Sequence, residues 1–179
     1  MYKYNTYLRG DYQFVQNTGN EAVDMSNDLE YRKYLINFVQ RLEPRFYRNQ
    51  IIQGQYEEVS EVLYVTSGSV FVSYRLFNEI FQAICIKANQ NVIGDFSCLY
   101  NKVSEFMYQA HENIYGFAMS KKNFLKIMNH RIGKQQINNI KHMYVNNIRN
   151  LVNDHRLIQS KKFKSRSDYV DLSVFGVKH

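Results

Sequence analysis

The sequence predicts an α+β domain, an antiparallel eight-stranded β-roll of jelly-roll type with one helix before it and helices after it. Three observations carry this. Between about residues 45 and 119 the apolar residues run with a period of two in short stretches separated by turns. On either side of that region the period lengthens to that of a helix. The 179 residues include one Pro and eight Gly, which leaves little material for flexible linkers within a chain long enough for one real core.

Residues 1–27 are polar and aperiodic and read as an irregular arm. Asp28 stands as an N-cap before LEYRKYLINFVQRL, where Leu29, Tyr31, Leu35, Phe38, Val39 and Leu42 approximate helical spacing. Pro44 ends that helix, because the residue before a proline avoids the α region. The strands then follow in FYRNQIIQ, EVLYVTSG, SVFVSYRLF, EIFQAICIKA, FMYQAHE and IYGFAMS. In EVLYVTSG, Val62, Tyr64 and Thr66 fall on one face, and Leu63, Val65 and Ser67 on the other. Gly54, Gly68, Gly94 and Gly116 punctuate the run, and Asn78-Glu79 reads as a tight hairpin.

At Ser120 the period changes again. Its hydroxyl suits an N-cap, and Phe124, Leu125 and Met128 share a face of the following helix. Gly133 reads as the break, and a longer helix follows with Ile137, Ile140, Tyr144, Ile148 and Leu151 in one stripe. The domain proper therefore spans 28–156. Residues 157–179 form a basic tail in which SDYVDLSVFG alternates as a candidate terminal strand.

The net charge of +7 is unevenly placed: after Ser120, thirteen Lys and Arg face three Asp, so residues 1–120 are net negative. Such a basic third suits an anionic membrane face or an acidic partner, and its plainer reading is a solvated helix face. Cys85 and Cys98 lie in apolar strand-like context and read as buried free thiols in a reducing compartment. No segment has the apolar run of a signal peptide or a membrane span, which points to the cytoplasmic side.

Other chemistry finds little support. The histidines, His111, His130, His142, His155 and His179, lack metal-ligand spacing with cysteines or carboxylates, so no metal is expected. Glu57, Glu58 and Glu61 read as a solvated loop before a strand. No nucleophile elbow, P-loop or Cys–His dyad appears, so no catalytic activity is expected. Aromatics alternating on strands beside lysines suit a β-roll core better than a nucleic-acid sheet, so nucleic acid is an unlikely partner.

The stretch IIQGQYEEVSEVLYVTSGSVFVSY, followed by Ile93-Gly94-Asp95-Phe96-Ser97-Cys98-Leu99, resembles the cyclic nucleotide-binding domain family over roughly residues 29–156. The likeness is greatest to cytoplasmic domains of potassium and cyclic-nucleotide-gated channels, protist ones among them. It implies a β-roll followed by helices of B and C type, a cAMP or cGMP ligand and no other cofactor. It also implies a phosphate-binding cassette at Gly94, Asp95, Phe96 and Ser97. In that family a glutamate accepts from the ribose hydroxyl; Asp95 stands there, one methylene shorter. The Ser97 amide would face the phosphate, as anions favour a helix N-terminus.

The family pairs the phosphate with an arginine about ten residues past the glycine, whose fork gives two charge-assisted bonds. Here that position falls on Ser104, and Glu105 follows. Losing the arginine costs on the order of 2–3 kcal/mol, or tens- to hundredfold in affinity. Ether-à-go-go-type potassium channels share the loss, and in them a short C-terminal strand fills the pocket. The resemblance implies that role here for Tyr169 and Leu172 as an intrinsic ligand. The resulting expectation is a non-catalytic regulatory domain of ion-channel type with weak or lost nucleotide binding, working beside channel protomers or other protein subunits. The alternative is a structural subunit that keeps the fold as an interaction module.

Overall fold

The computed structural model describes residues 21–88 and 91–174, with side chains described over 29–88 and 91–164. Its element order is α1 (Glu21–Val39), β1 (Glu43–Tyr47), β2 (Ile51–Gln53), β3 (Glu61–Ser67), β4 (Ser69–Leu76), β5 (Glu79–Lys87), β6 (Val92–Ile93), α2 (Asp95–Tyr100), β7 (Met107–Ala110), β8 (Ile114–Ser120), α3 (Lys121–Met128) and α4 (Arg131–Tyr144). A π-helical turn, Val145–Arg149, joins α4 to α5 (Asn150–Val174).

The eight strands form two four-stranded antiparallel sheets, β1-β8-β3-β6 and β2-β7-β4-β5. Apart from the β4–β5 hairpin, consecutive strands switch sheets, so the chain wraps a roll rather than a meander. β3 is buried on both faces because one looks into the roll and the other is covered: the ring of Tyr64 meets Phe38 of α1 edge-on at 5.3 Å. The β4–β5 hairpin turns through Phe77 and Asn78, both at positive φ, with Leu76 opposite Glu79. The turn is therefore one residue earlier than Asn78-Glu79. Two positive φ values in a two-residue loop suit the right-handed strand twist, at some strain for a phenylalanine.

The N-terminal helix begins before Asp28. EAVDMSN contains no Gly or Pro and has good helix formers in Glu, Ala and Met, so residues 21–27 are helical rather than irregular. The rest of the expected arm, residues 1–20, lies outside the described residues. Tyr34 and Phe38 are the buried anchors of α1, whereas Leu29 and Val39 are exposed. The helix closes with tight bonds from Arg41 N to Phe38 O and from Leu42 N to Val39 O, and Pro44 sits on β1, an edge strand, where its missing N–H costs no ladder bond.

Ser120 caps α3 as expected, its hydroxyl accepting from the Asn123 amide at 3.4 Å. Gly133, by contrast, is not a helix stop. The break falls at Asn129 and His130, and Gly133 lies in the first turn of α4. A Cβ there would stand 2.3 Å from the Ile127 carbonyl oxygen and 2.7 Å from the Met128 Cα. The glycine thus lets α4 press against the end of α3.

From the last turns of α4 through the π turn into α5 the buried positions are Ile140, Tyr144, Ile148 and Val152, each four residues apart. In a regular α-helix every such step drifts by about 40°, and the stripe would wind away from the roll. The wider π turn takes up that drift. The stripe therefore ends on Val152, at 0% exposure, and not on Leu151, at 49%.

The tail does not form the expected terminal strand. α5 continues to Val174, so Tyr169 and Leu172 lie on helical backbone. Residues 157–174 hold no Gly or Pro, and nothing separates them from the preceding turns. The alternation of Val170, Leu172 and Val174 is overridden by propagation of a helix already nucleated. Cys85 is also displaced from expectation: it is exposed on β5, and only Cys98 is buried.

Gly133→Ala tests the helix junction. Alanine is the better helix former by about 1 kcal/mol, yet the backbone contact should make the variant less stable by about 1–3 kcal/mol in urea denaturation. A more stable variant would contradict the close approach.

Candidate ligand site

The expected cassette forms the loop between β6 and β7, and α2 is its centre. Gly94 precedes α2 with φ of 88°. A Cβ would meet the Glu61 carbonyl oxygen at 2.7 Å and Val59 Cγ1 at 2.8 Å, so both conformation and space demand glycine. α2 is one and a half turns long and ends at Asn101, in the left-handed region. Asp95, Phe96 and Ser97 are all buried.

Asp95, Ser104 and Glu105 of this loop are engaged by the protein. Asp95 Oδ1 accepts from the Phe96 amide at 2.7 Å. Ser104, at the position where the sequence lacks an arginine, is 3% exposed. Its hydroxyl donates to the Phe106 carbonyl at 2.7 Å. Its amide donates to Glu57 O and its carbonyl accepts from Tyr56 N, so it staples the β7 entry to the loop after β2.

Glu105 points away from the cassette and toward the long helix. Oε1 accepts from Arg149 at 2.5 Å, and Oε2 accepts from the Tyr144 hydroxyl at 3.0 Å. The Tyr144 ring stacks on Phe96 at 4.1 Å with 4° between planes, and lies 6.4 Å from the Phe106 ring. α2 and the start of β7 are thereby tied to the end of α4 and its π turn. Sequence reading singled out Phe96 and Glu105 but neither Tyr144 nor Arg149 as a site residue. Their signal was a stacking ring on the buried stripe and a cation one residue past it.

Lys102, on the same loop, lies with its ammonium 5.8 Å from the centre of the Phe96 ring. The acidic loop is dispersed: Glu61 takes Arg45 and Tyr47, Glu58 faces Lys121 at 3.7 Å, and Glu57 accepts from the Gly54 amide. Tyr169 and Leu172 share no strand with the roll. Among the described residues, no group of three His, Cys, Asp or Glu is placed to hold a metal ion.

Burial dominates the electrostatics. It pushes the phenols of Tyr64, Tyr108 and Tyr144 well up, and the carboxylates add to it, Asp95 beside Tyr64 and Tyr108, Glu105 beside Tyr108 and Tyr144. The same desolvation raises the Cys98 thiol to about 12. A negative charge arriving in this loop would meet carboxylates, and the arginine beside them, Arg149, is already paired with Glu105.

No protein-family model matches the sequence, and no curated protein matches it. Solved structures do match. PKAR CBD2 with Sp-2Cl-cAMPS bound is 20% identical, with 74% of this chain and 84% of that one covered and a TM-score of 0.52. The c-di-GMP responsive global regulator CLP of Xanthomonas campestris is 11% identical, with 73% and 63% covered and a TM-score of 0.53. The cAMP-bound structure of PfPKA-R is 16% identical, with 54% and 34% covered and a TM-score of 0.50, so this chain matches about a third of that one. The fold is that of cyclic nucleotide-binding domains, an eight-stranded roll with flanking helices. Among the described residues, no helix is long and apolar enough to cross a membrane.

Two measurements follow from the burial. A thiol reagent at neutral pH should modify Cys85 quickly and Cys98 only on unfolding; two fast thiols would contradict the packing. The raised phenols give a pH dependence of definite sign. Their unfolded-state pKa is near 10, and the folded state holds the proton beyond it. Their contribution is therefore complete below about pH 10 and is lost as pH rises, by up to ~1.4 kcal/mol per unit per tyrosine. Urea midpoints should be flat from pH 7 to 9, with allowance for Cys98 from about pH 9, and fall at pH 11.

Proposed function

We propose that this chain is a non-catalytic regulatory domain with the cyclic nucleotide-binding fold, whose affinity for cAMP and cGMP is weak or lost. One observation carries the reading. The arginine position is Ser104, whose hydroxyl, amide and carbonyl are all bonded within the protein, and the neighbouring Glu105 is spent on Arg149 and Tyr144. The loop thus has its glycine and its buried helix but no arginine fork to complete a phosphate cradle.

The regulatory part rests on the same contacts. Phe96 on Tyr144 and Glu105 on Arg149 couple the cassette to the long helix, so anything that repositions one repositions the other. The carboxylate–guanidinium pair is about one-third exposed on both sides, so most of its worth is positional. We place the domain in a larger protein assembly, working without a metal or a resident cofactor and signalling through α5. The ion-channel reading had two supports in the sequence. The missing arginine remains, while the terminal strand that would have served as intrinsic ligand is helix. The scaffold reading takes the same contacts as static; it is favoured by the commitment of the Phe96, Ser104 and Glu105 side chains to protein partners.

Titration calorimetry with cAMP and cGMP tests this. The wild-type chain should show no saturable binding at micromolar ligand. Ser104→Arg alone should not restore it, because the new side chain must leave a site that is closed and bonded. Saturable micromolar binding by the wild type would show that Asp95, Ser97 and the turn suffice, and would overturn the proposal.

A further inference from the structure

Two guanidinium groups reach the entry of β7 from the long helix, and one carboxylate answers them. Arg149 is paired with Glu105, whose second oxygen is taken by Tyr144. Arg156, two turns further on α5, lies with its guanidinium carbon 4.8 Å above the Tyr74 ring and 5.9 Å from the Phe106 ring. Among the described residues it has no hydrogen bond and no ion pair, and its Nε is sealed from solvent without an acceptor. Its neighbours offer none: His155 is held between the Tyr74 hydroxyl at 3.0 Å and Gln159 at 3.3 Å, and Asp154 lies on the exposed side of α5.

A cation in this state is unusual. Buried donors nearly always meet an acceptor, and a half-buried guanidinium normally finds a carboxylate or a carbonyl. Ring stacking compensates the faces of the group but leaves the sealed Nε without an acceptor. The two Nη groups, which are not sealed, form a fork suited to two oxygens of one tetrahedral anion. The rings of Tyr74 and Phe106 hold the fork in place, so little ordering remains when an anion arrives.

We propose that the mouth of the roll beneath α5 is an oxyanion site in which Arg156 is the principal ligand-binding residue and Arg149 the supporting charge. Its ligand class is a phosphate group, either free or carried by a nucleotide. The cation that the cassette lacks is thus offered from the helix and from another direction. This inference does not depend on whether cyclic nucleotides bind the cassette, since it concerns a different anchor and a different ligand.

The test is calorimetry on the full chain in a phosphate-free buffer, with inorganic phosphate and AMP titrated separately. The wild type should bind at least one of them saturably in the millimolar range. Arg156→Met keeps an apolar stem on the Tyr74 ring and should weaken that binding about tenfold. Arg156→Lys, which keeps the charge and loses the fork, should weaken it several-fold with an unchanged circular dichroism spectrum, so a folding defect is not mistaken for a lost ligand. Lys134→Gln, an exposed change on α4, should leave it alone. Binding of both ligands through Arg156 assigns the site to the bare oxyanion, and binding of AMP alone assigns it to a nucleotide phosphate. No saturable binding of either ligand by the wild type, or equal affinity in Arg156→Met, overturns the proposal.

Discussion

The long C-terminal helix must cover the open side of the roll, and most of the molecule's particular features follow from that contact. A β-roll of two short sheets leaves apolar residues along β4, β5 and β7 that only another element can bury. Here α4, the π turn and α5 supply it through Ile140, Tyr144, Ile148 and Val152. At the far end Phe163 packs against Phe77 and Phe81 at 5.4 and 5.8 Å, steadying the strained hairpin tip. The cost of the arrangement is a helix that cannot be regular, and the π turn is where that irregularity is placed. It lies where Tyr144 and Arg149 meet the cassette, in keeping with the tendency of such turns to occur at functional sites.

The cassette is best understood from the helix inward. Its glycine and its short helix survive because Gly94 must pass close to Glu61 and Val59 and because Phe96 must lie flat on Tyr144. Those are packing demands, and they hold whether or not a nucleotide binds. The residues that would make a phosphate welcome face no such demand, and at Ser104 and Glu105 the chain has used those positions to join loops and helices. On the proposed reading, the site keeps the shape of a binding loop while these positions serve the scaffold.

The sequence made the roll legible because alternation is a strong signal when one face is buried, as in Val70, Val72 and Tyr74. It made the glycine at 94 and the gap at 104 legible through the order of motifs. What it concealed was geometric. Leu151 and Val152 are equally apolar, and only a π turn decides between them. Gly133 looks like a stop until the neighbouring carbonyl is seen beneath it. Tyr169 to Leu172 alternate like a strand, but the helix before them meets no breaker. Cys85 alternates onto the outer face of a strand whose residues are apolar on both sides.

The central claim is that the cassette answers to the helix and not to a cyclic nucleotide. Amide hydrogen exchange across residues 140–156, with and without millimolar cAMP, tests it most directly. The account expects the same protection in both conditions, because Phe96, Glu105, Tyr144 and Arg149 already hold one another. A cAMP-dependent change in protection at Tyr144 to Arg149 would contradict it and return the cassette to the class of working nucleotide sites.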